Sequence, residues 1–176
     1  MKVSLTDEDL KVRGDQNYFP LGFHEVGVTS AKRGVTANGK EFAEFEVLSA
    51  DDEDYTGTAR LWFSSDKSTK YALSILSGIA SHNKETEAEK QKVNEAFKKI
   101  TDTDQVDDKF LERFVGMEAF YEVADNGRTY TNESGQVRPS YDRNIYGYRK
   151  AQSRRQQVDN LISNSEDVSD SSDIPF

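Results

Sequence analysis

The chain of 176 residues contains no cysteine. Disulfide scaffolds, thiol nucleophiles and zinc sites with cysteine ligands are therefore excluded, and the absence fits a reducing compartment. The sequence also lacks an apolar run of about 18 residues, the length that a membrane-spanning helix needs. Residues 1–10 are charged and have no apolar signal core. We therefore expect a cytoplasmic protein that does not associate with a membrane.

Residues typical of catalytic sites are also scarce. The two histidines, His24 and His82, lie far apart in the sequence, and neither a glycine-rich phosphate loop nor a Gly-x-Ser-x-Gly motif is present. Carboxylates cluster at residues 51–54 and 102–108, but in polar stretches where solvated loops are the commoner outcome. We expect no cofactor, no metal site and no enzymatic activity. A metal-dependent nuclease that uses these clusters is the enzymatic alternative.

Charge is unevenly distributed along the chain. Hydrophobic residues make up 35% of the sequence and the net charge is −9, so we expect some segments to stay outside a packed core. Acidic residues are concentrated in the last eleven residues, whereas residues 138–155 carry a net charge of +5 from six basic residues and Asp142. An acidic protein that is polarised in this way can still bind a polyanion on one face.

Five segments have the alternating pattern of β-strands. They cover residues 22–35, 42–48, 58–63, 115–124 and 140–148. Asn38-Gly39 predicts a hairpin turn between the first two strands, Asp125–Gly127 is expected to turn the fourth strand, and Asn132–Gly135 makes a second polar turn. The alternation predicts that one face of strands two and three is core: Ala43, Phe45, Val47, Ala59, Leu61 and Phe63.

Between the third and fourth strands the pattern becomes helical. Residues 68–80, with Tyr71, Leu73 and Ile75 among their apolar positions, predict a buried helix, and residues 82–103 predict a surface amphipathic helix. This order of elements is that of the OB-fold, a five-stranded Greek-key barrel that binds oligonucleotides. We predict an all-β OB-fold β-barrel over residues 1–150, with a helical insertion at about 66–114. A disordered acidic C-terminal tail follows at residues 151–176.

The sequence ends in Asp-Ser-Ser-Asp-Ile-Pro-Phe. A partner protein could bury the ring of Phe176 and hold its carboxylate with a basic residue, while Pro175 lowers the entropic cost of ordering the segment. The segment closely resembles the tip of bacterial single-stranded DNA-binding proteins, which ends in Asp-Asp/Ser-Ile-Pro-Phe after an acidic stretch. This resemblance implies that replication and recombination proteins bind Asp170, Asp173, Ile174, Pro175 and Phe176.

A second resemblance covers about residues 17–150. Residues 18–28, Asn38-Gly39, residues 61–63 and Val115-Gly116 look like the corresponding parts of phage-type single-stranded DNA-binding proteins. The resemblance implies an OB-fold, single-stranded DNA as the ligand and, if the protein is phage-encoded, a bacterial host cell as the location. The helical insertion departs from the simplest OB pattern, so homo-oligomer formation is left open.

Single strands are bound by stacking bases on aromatic rings and by tracking phosphates with positive charge. Arg60 and Trp62 point away from the predicted core, so Trp62 is a candidate for stacking on bases. The alternative is that a helix or an oligomer contact covers Trp62. Phe42 lies on the equivalent face of strand two, beside Lys40. Other candidates flank the first hairpin or interleave tyrosine with arginine near the last two strands: Lys32, Arg33, Arg128, Tyr130, Arg138, Tyr141, Arg143, Tyr146, Tyr148 and Arg149. Strand alternation predicts that roughly half of these tyrosines are core residues.

These features together predict a non-catalytic protein that coats single-stranded DNA without strong sequence preference. It would act in DNA replication, recombination and repair, recruit partners through its acidic tip, and bind DNA more weakly as salt rises. The alternative is an acidic DNA mimic or decoy that captures tail-binding host factors without binding DNA. The net charge of −9 supports this alternative, whereas the interleaved arginines and tyrosines after Arg128 argue against it.

Overall fold

The computed structural model describes residues 17–51, 55–147 and 159–163. Within these ranges six strands form one sheet. They are β1 (Asn17–Tyr18), β2 (Gly22–Val35), β3 (Glu41–Ser49), β4 (Tyr55–Trp62), β5 (Glu118–Thr131) and β6 (Val137–Tyr146). The sheet order is β1-β4-β3-β2-β5-β6, and every pairing is antiparallel except that of β1 with β4.

The five long strands form a curled antiparallel sheet. The edge strands β4 and β6 have Cα atoms within 8 Å of each other, but no ladder joins them in the described part of the chain. Tyr121 of β5 reaches across the interior, where its hydroxyl donates a hydrogen bond of 3.2 Å to the carbonyl oxygen of Thr58 in β4. The predicted mostly-β fold with helices after the third strand is therefore confirmed, and the sheet is consistent with an OB-like fold without being closed.

The β2–β3 hairpin follows the predicted pattern. It turns at Asn38-Gly39, where Gly39 has a φ of 79° and its amide donates to the carbonyl oxygen of Thr36. The predicted core face of β3 and β4 is confirmed, because all six of its residues are buried. A bulge between Val28 and Ser30 in β2 shifts the alternation, so that Val26 and Val28 are followed in the core by Ala31.

The turn predicted at Asp125–Gly127 is wrong. Strand β5 continues through this segment to Thr131, and a register shift between Asp125 and Thr129 marks a bulge. Gly127 has a φ of 72°, and its amide donates to the Asp125 carboxylate. Glycine with positive φ occurs in bulges as well as in turns. The chain reverses instead at Asn132–Gly135, so β5 and β6 form a long ribbon, and residues 125–140 are mostly exposed.

Helices occupy the segment between β4 and β5. They are α1 (Asp66–His82), α2 (Glu87–Lys98) and α3 (Asp108–Leu111), with 3-10 turns at Thr103–Gln105 and Glu112–Phe114. The helix predicted over residues 82–103 is shorter than expected, because Thr86 and Glu89 form a capping box that starts a new helix. The Thr86 hydrogen bonds also lower the pKa of the Glu89 carboxyl.

Helix α1 closes one side of the core. It buries Ala72, Ile75, Leu76, Ile79 and Ala80. Its backbone at Gly78 packs directly on Gly147, where an added Cβ would lie only 2.2 Å from the Gly78 carbonyl carbon. A short helical segment at residues 159–163 is also described. No helix in the described ranges is long and apolar enough to cross a membrane.

Candidate nucleic-acid interface

A groove of about 870 Å³ lies between the β3–β4 part of the sheet and strand β6. One side, here called the β3–β4 wall, includes Glu44, Glu46, Thr58, Arg60 and Trp62. Strand β6 supplies Asp142, Arg143 and Asn144, and the start of α1 supplies Ser68 and Tyr71. Aromatic rings and charged groups therefore meet in one concave surface.

Strand register explains why these wall residues lie together. Glu44 pairs with Arg60 and Glu46 with Thr58 across β3 and β4. Paired residues in a sheet point to the same face, and the buried residues between them occupy the other face. Lys32 of β2 is paired with Glu44, so it lies on the same outer face as Arg60. The alternation that places apolar residues of β3 and β4 in the core therefore also places Glu44, Arg60 and Trp62 together on the outer face.

Trp62 packs against the ring of Phe42, its partner across β3 and β4. Trp62 is 36% exposed, whereas Phe42 is only 8% exposed, and the two ring centroids are 5.4 Å apart. The Phe42 ring covers Gly34, where an added Cβ would lie 2.4 Å from the Phe42 Cζ atom. Phe42 is therefore packed against Gly34 and Trp62 and is almost fully buried, while Trp62 remains open to the groove.

Arg60 is held by two contacts. Its Nε donates a hydrogen bond of 2.7 Å to Glu44 Oε2, and its guanidinium carbon lies 4.2 Å from the centroid of the Phe42 ring. The Arg60 side chain is 46% exposed and the Glu44 side chain 16%. The guanidinium group is thus fixed beside Trp62, with its charge paired and part of its surface open.

Arg143 is in a different electrostatic setting. It is exposed and lines the groove, and in the described ranges it forms no ion pair with a carboxylate. Its positive charge opposes the rise in the pKa of the Tyr121 hydroxyl, whose main cause is burial. Among the described residues, Arg143 therefore brings a positive charge without a carboxylate partner to the β6 side of the groove.

The two basic residues predicted beside the first hairpin lie on opposite faces of β2. Lys32 is exposed on the outer face. Arg33 is half-buried on the inner face, where it forms an ion pair of 3.2 Å with Glu41 and packs 4.5 Å from the centroid of Phe63. Lys40 is exposed at the hairpin turn. Consecutive residues of a strand point to opposite faces, and the bulge in β2 determines that Arg33 rather than Lys32 faces inward, because it exchanges the faces of the residues after it.

The remaining candidates are divided between the ribbon and the core. Arg128, Tyr130 and Arg138 are exposed on the ribbon, where Tyr130 pairs with Arg138 across the strands. Tyr141 is half-buried against the core. Tyr146 is buried, and its hydroxyl donates to the buried Glu122 carboxylate at 2.9 Å. The other predicted residues lie outside the described ranges: Tyr148, Arg149, Asp170, Asp173, Ile174, Pro175 and Phe176.

Several groove residues, Tyr71 and three carboxylates among them, are not candidates that the sequence predicts. Tyr71 is one of the apolar positions from which the sequence predicts a buried helix, but it is 48% exposed at the groove because it lies beside the buried stripe of α1. The carboxylates Glu44, Glu46 and Asp142 also line the groove. The sequence predicts that Glu44 and Glu46 point outward, but only the β3–β4 register, which pairs Glu44 with Arg60, shows that they share a face with the groove residues Arg60 and Trp62.

No group of three or more histidine, cysteine, aspartate or glutamate residues that could hold a metal ion occurs in the described ranges. Comparison with protein-family models gives no match for this chain, and no curated protein matches its sequence. The geometry of the groove is therefore the basis for a functional proposal.

Proposed function

We propose that this protein binds single-stranded DNA, without strong sequence preference, in the groove between the β3–β4 wall and β6. The observation that carries the proposal is the combination of exposed Trp62 and Tyr71 with Arg143 in one groove. Aromatic rings stack on the unpaired bases of a single strand, and each stack contributes about 1–3 kcal/mol. Arginine meets the phosphates, and binding then weakens as salt rises.

The fold supports this assignment through the position of the groove. We take the curled sheet to be an OB-fold barrel, in which β2 to β6 are the five strands and the helices follow the third. OB-folds bind oligonucleotides on the face of their second and third strands and on the loops after the first and fourth strands. Here β3 and β4 would provide that face. The loop after β2 contains Lys40, and the β5–β6 ribbon that carries Arg128, Tyr130 and Arg138 leads to the loop after β5.

A gel mobility shift of a labelled oligothymidylate tests the proposal. The full-length protein should retard the oligonucleotide at low salt, and duplex DNA of the same length should compete weakly because its bases are already stacked. Arg143→Gln should weaken the shift. Arg113→Gln is the matched control, because Arg113 is exposed outside the groove and its loss should change little. Failure of the unaltered protein to retard single strands at low salt would contradict the proposal.

The acidic C-terminal segment has a separate role in this proposal. It recruits replication and recombination proteins through the tip residues 170–176, which lie outside the described ranges. Removal of the last ten residues, 167–176, is expected to leave DNA binding intact or tighter, because it removes negative charge. It should abolish the capture of partner proteins. Clearly weaker DNA binding after the truncation would contradict this separation of DNA binding from the recruitment of partner proteins.

We further place this activity in the bacterial cytoplasm, without catalysis, and in DNA replication, recombination and repair. The labelled oligonucleotide should remain full-length when it is incubated with the protein and magnesium or manganese. Cleavage of the labelled oligonucleotide into shorter products would instead favour a nuclease.

One observation favours the decoy alternative. Among the described residues of the groove, three carboxylates accompany two arginines, so the surface is weakly acidic. A DNA mimic would use such a surface to bind a DNA-binding protein, and it would not retard any oligonucleotide. The mobility shift therefore separates the two functions directly.

A further inference from the structure

The two arginines of the groove differ in how their charge is balanced. Arg60 is bonded to Glu44 at 2.7 Å, whereas Arg143 forms no ion pair in the described part of the chain. A phosphate that approached the Arg60 guanidinium would also approach the Glu44 carboxylate. The repulsion from that carboxylate would offset much of the attraction to Arg60.

The charges near Arg60 add to the same effect. On the outer face, Lys32 of β2 lies opposite Glu44 of β3 in the strand register, and Glu46 lies two residues further along β3. These three residues and Arg60 carry two positive and two negative charges, so the surface has no excess charge to attract a phosphate. An uncharged base is not repelled by these carboxylates.

The geometry of Arg60 suits contact with a flat, uncharged group. Its guanidinium lies over the ring of Phe42 at 4.2 Å, and the hydrogen bond to Glu44 restricts its rotation. The side chain is still 46% exposed. Nucleic-acid bases stack on guanidinium planes as well as on aromatic rings, and Trp62, which packs on the same Phe42 ring, is a neighbour of Arg60 on this face.

We propose that Arg60 is a base-stacking surface that extends Trp62, and that the phosphates of the strand are held by Arg143. Glu44 is then a positioning residue that neutralises Arg60 and fixes its plane. This inference rests on the proposed binding of single-stranded DNA, and it assigns separate parts of the groove to bases and to phosphates.

The salt dependence of affinity tests this assignment. For single strands, the slope of log K against log salt changes by about 0.7 for each phosphate contact. Arg143→Gln should flatten the slope by about 0.7. Arg60→Gln should flatten the slope clearly less than Arg143→Gln, because the Arg60 charge is already balanced by Glu44, and should lower affinity about five- to tenfold, as expected for the loss of one stacking contact. Glu44→Gln should steepen the slope by up to about 0.7, because it releases the Arg60 charge.

Two further variants control for folding and for general charge effects. Arg60→Lys keeps the charge and removes the plane, so it should lose affinity as Arg60→Gln does. Retention of full affinity by Arg60→Lys would show a phosphate contact and overturn the inference. Lys90→Gln breaks the ion pair with Glu87 on α2, outside the groove, and should change neither slope nor affinity. Thermal unfolding should show that each variant is folded.

The outcomes separate this inference from the proposed function. If the unaltered protein binds no oligonucleotide at low salt, the proposed function fails and the inference fails with it. If the unaltered protein binds, but Arg60→Gln flattens the slope as much as Arg143→Gln, only the inference fails. An unchanged slope in Glu44→Gln would equally contradict the role given to Glu44.

Discussion

Gly34 lies beneath the ring of Phe42, and its replacement by alanine tests the packing that supports the groove. The added Cβ would lie 2.4 Å from Phe42 Cζ and 2.5 Å from Cε2. Optimal carbon–carbon contacts are about 3.5–4.0 Å, so the ring would have to move by about 1 Å. The ring cannot move freely, because Arg60 and Trp62 pack against it.

Overpacking of this kind costs about 1–3 kcal/mol of unfolding free energy. For a chain of this size, each kcal/mol corresponds to a fall in Tm of about 2–4 °C. Gly34→Ala should therefore lower the Tm measurably, and it should also shift the fluorescence emission of Trp62, since the ring beneath it is displaced. Thermal unfolding by circular dichroism and an emission spectrum measure the two effects.

Gly27→Ala is the matched control for Gly34→Ala. Gly27 lies in the same strand, β2, and an added Cβ there would have no heavy atom within 4 Å. Its replacement should change the Tm by little and leave the emission of Trp62 unchanged. Phe42→Leu in the Gly34→Ala background should recover part of the lost stability, because it removes the overlapping ring atoms. Wild-type stability and emission in Gly34→Ala would refute this account of the packing.

Three further changes test the core behind the groove. Gly147→Ala should lower the unfolding free energy by more than about 3 kcal/mol, measured in urea, because the new Cβ would overlap the α1 backbone. Tyr146→Phe should cost about 1–3 kcal/mol in the same assay, because it removes a hydrogen bond to the buried Glu122 carboxylate. Burial raises the pKa of Tyr121 above 10.0, so the stability that depends on its neutral hydroxyl is complete below the unfolded-state pKa and is lost as pH rises through the folded-state pKa. Tyr121→Phe should reduce this alkaline loss of stability relative to the exposed control Tyr130→Phe, and an equal loss in both would contradict the assignment.

The core of the hairpin could be predicted from sequence because one physical rule governs it. Alternation of apolar residues identified Ala43, Phe45 and Val47 as one buried face, and the Asn38-Gly39 turn set the strand pairing. The rule fails where the alternation is interrupted. The bulge after Val28 places Arg33 on the inner face, and the residues around it gave no signal that distinguishes a bulge from a regular strand.

The composition of the groove could be predicted only in part. Outward alternation correctly placed Trp62 and Arg60 on the face away from the core. The ion pair of Arg60 with Glu44 depends on the β3–β4 register, and the sequence between the two strands contains no two-residue turn motif that would predict this register. The exposure of Tyr71 could not be predicted, because the helical period does not determine whether side chains at the edge of a buried stripe are covered.

The measurement that tests the central claim most directly is a titration of the intrinsic fluorescence of Trp62 with an oligothymidylate at low and high salt. Trp62 is the only tryptophan in the sequence, so a change in tryptophan emission reports on the β3–β4 wall. We predict saturable quenching at low salt that is reversed as salt rises. Unchanged emission together with no mobility shift would contradict single-strand binding, whereas a shift without quenching would move the binding face away from Trp62.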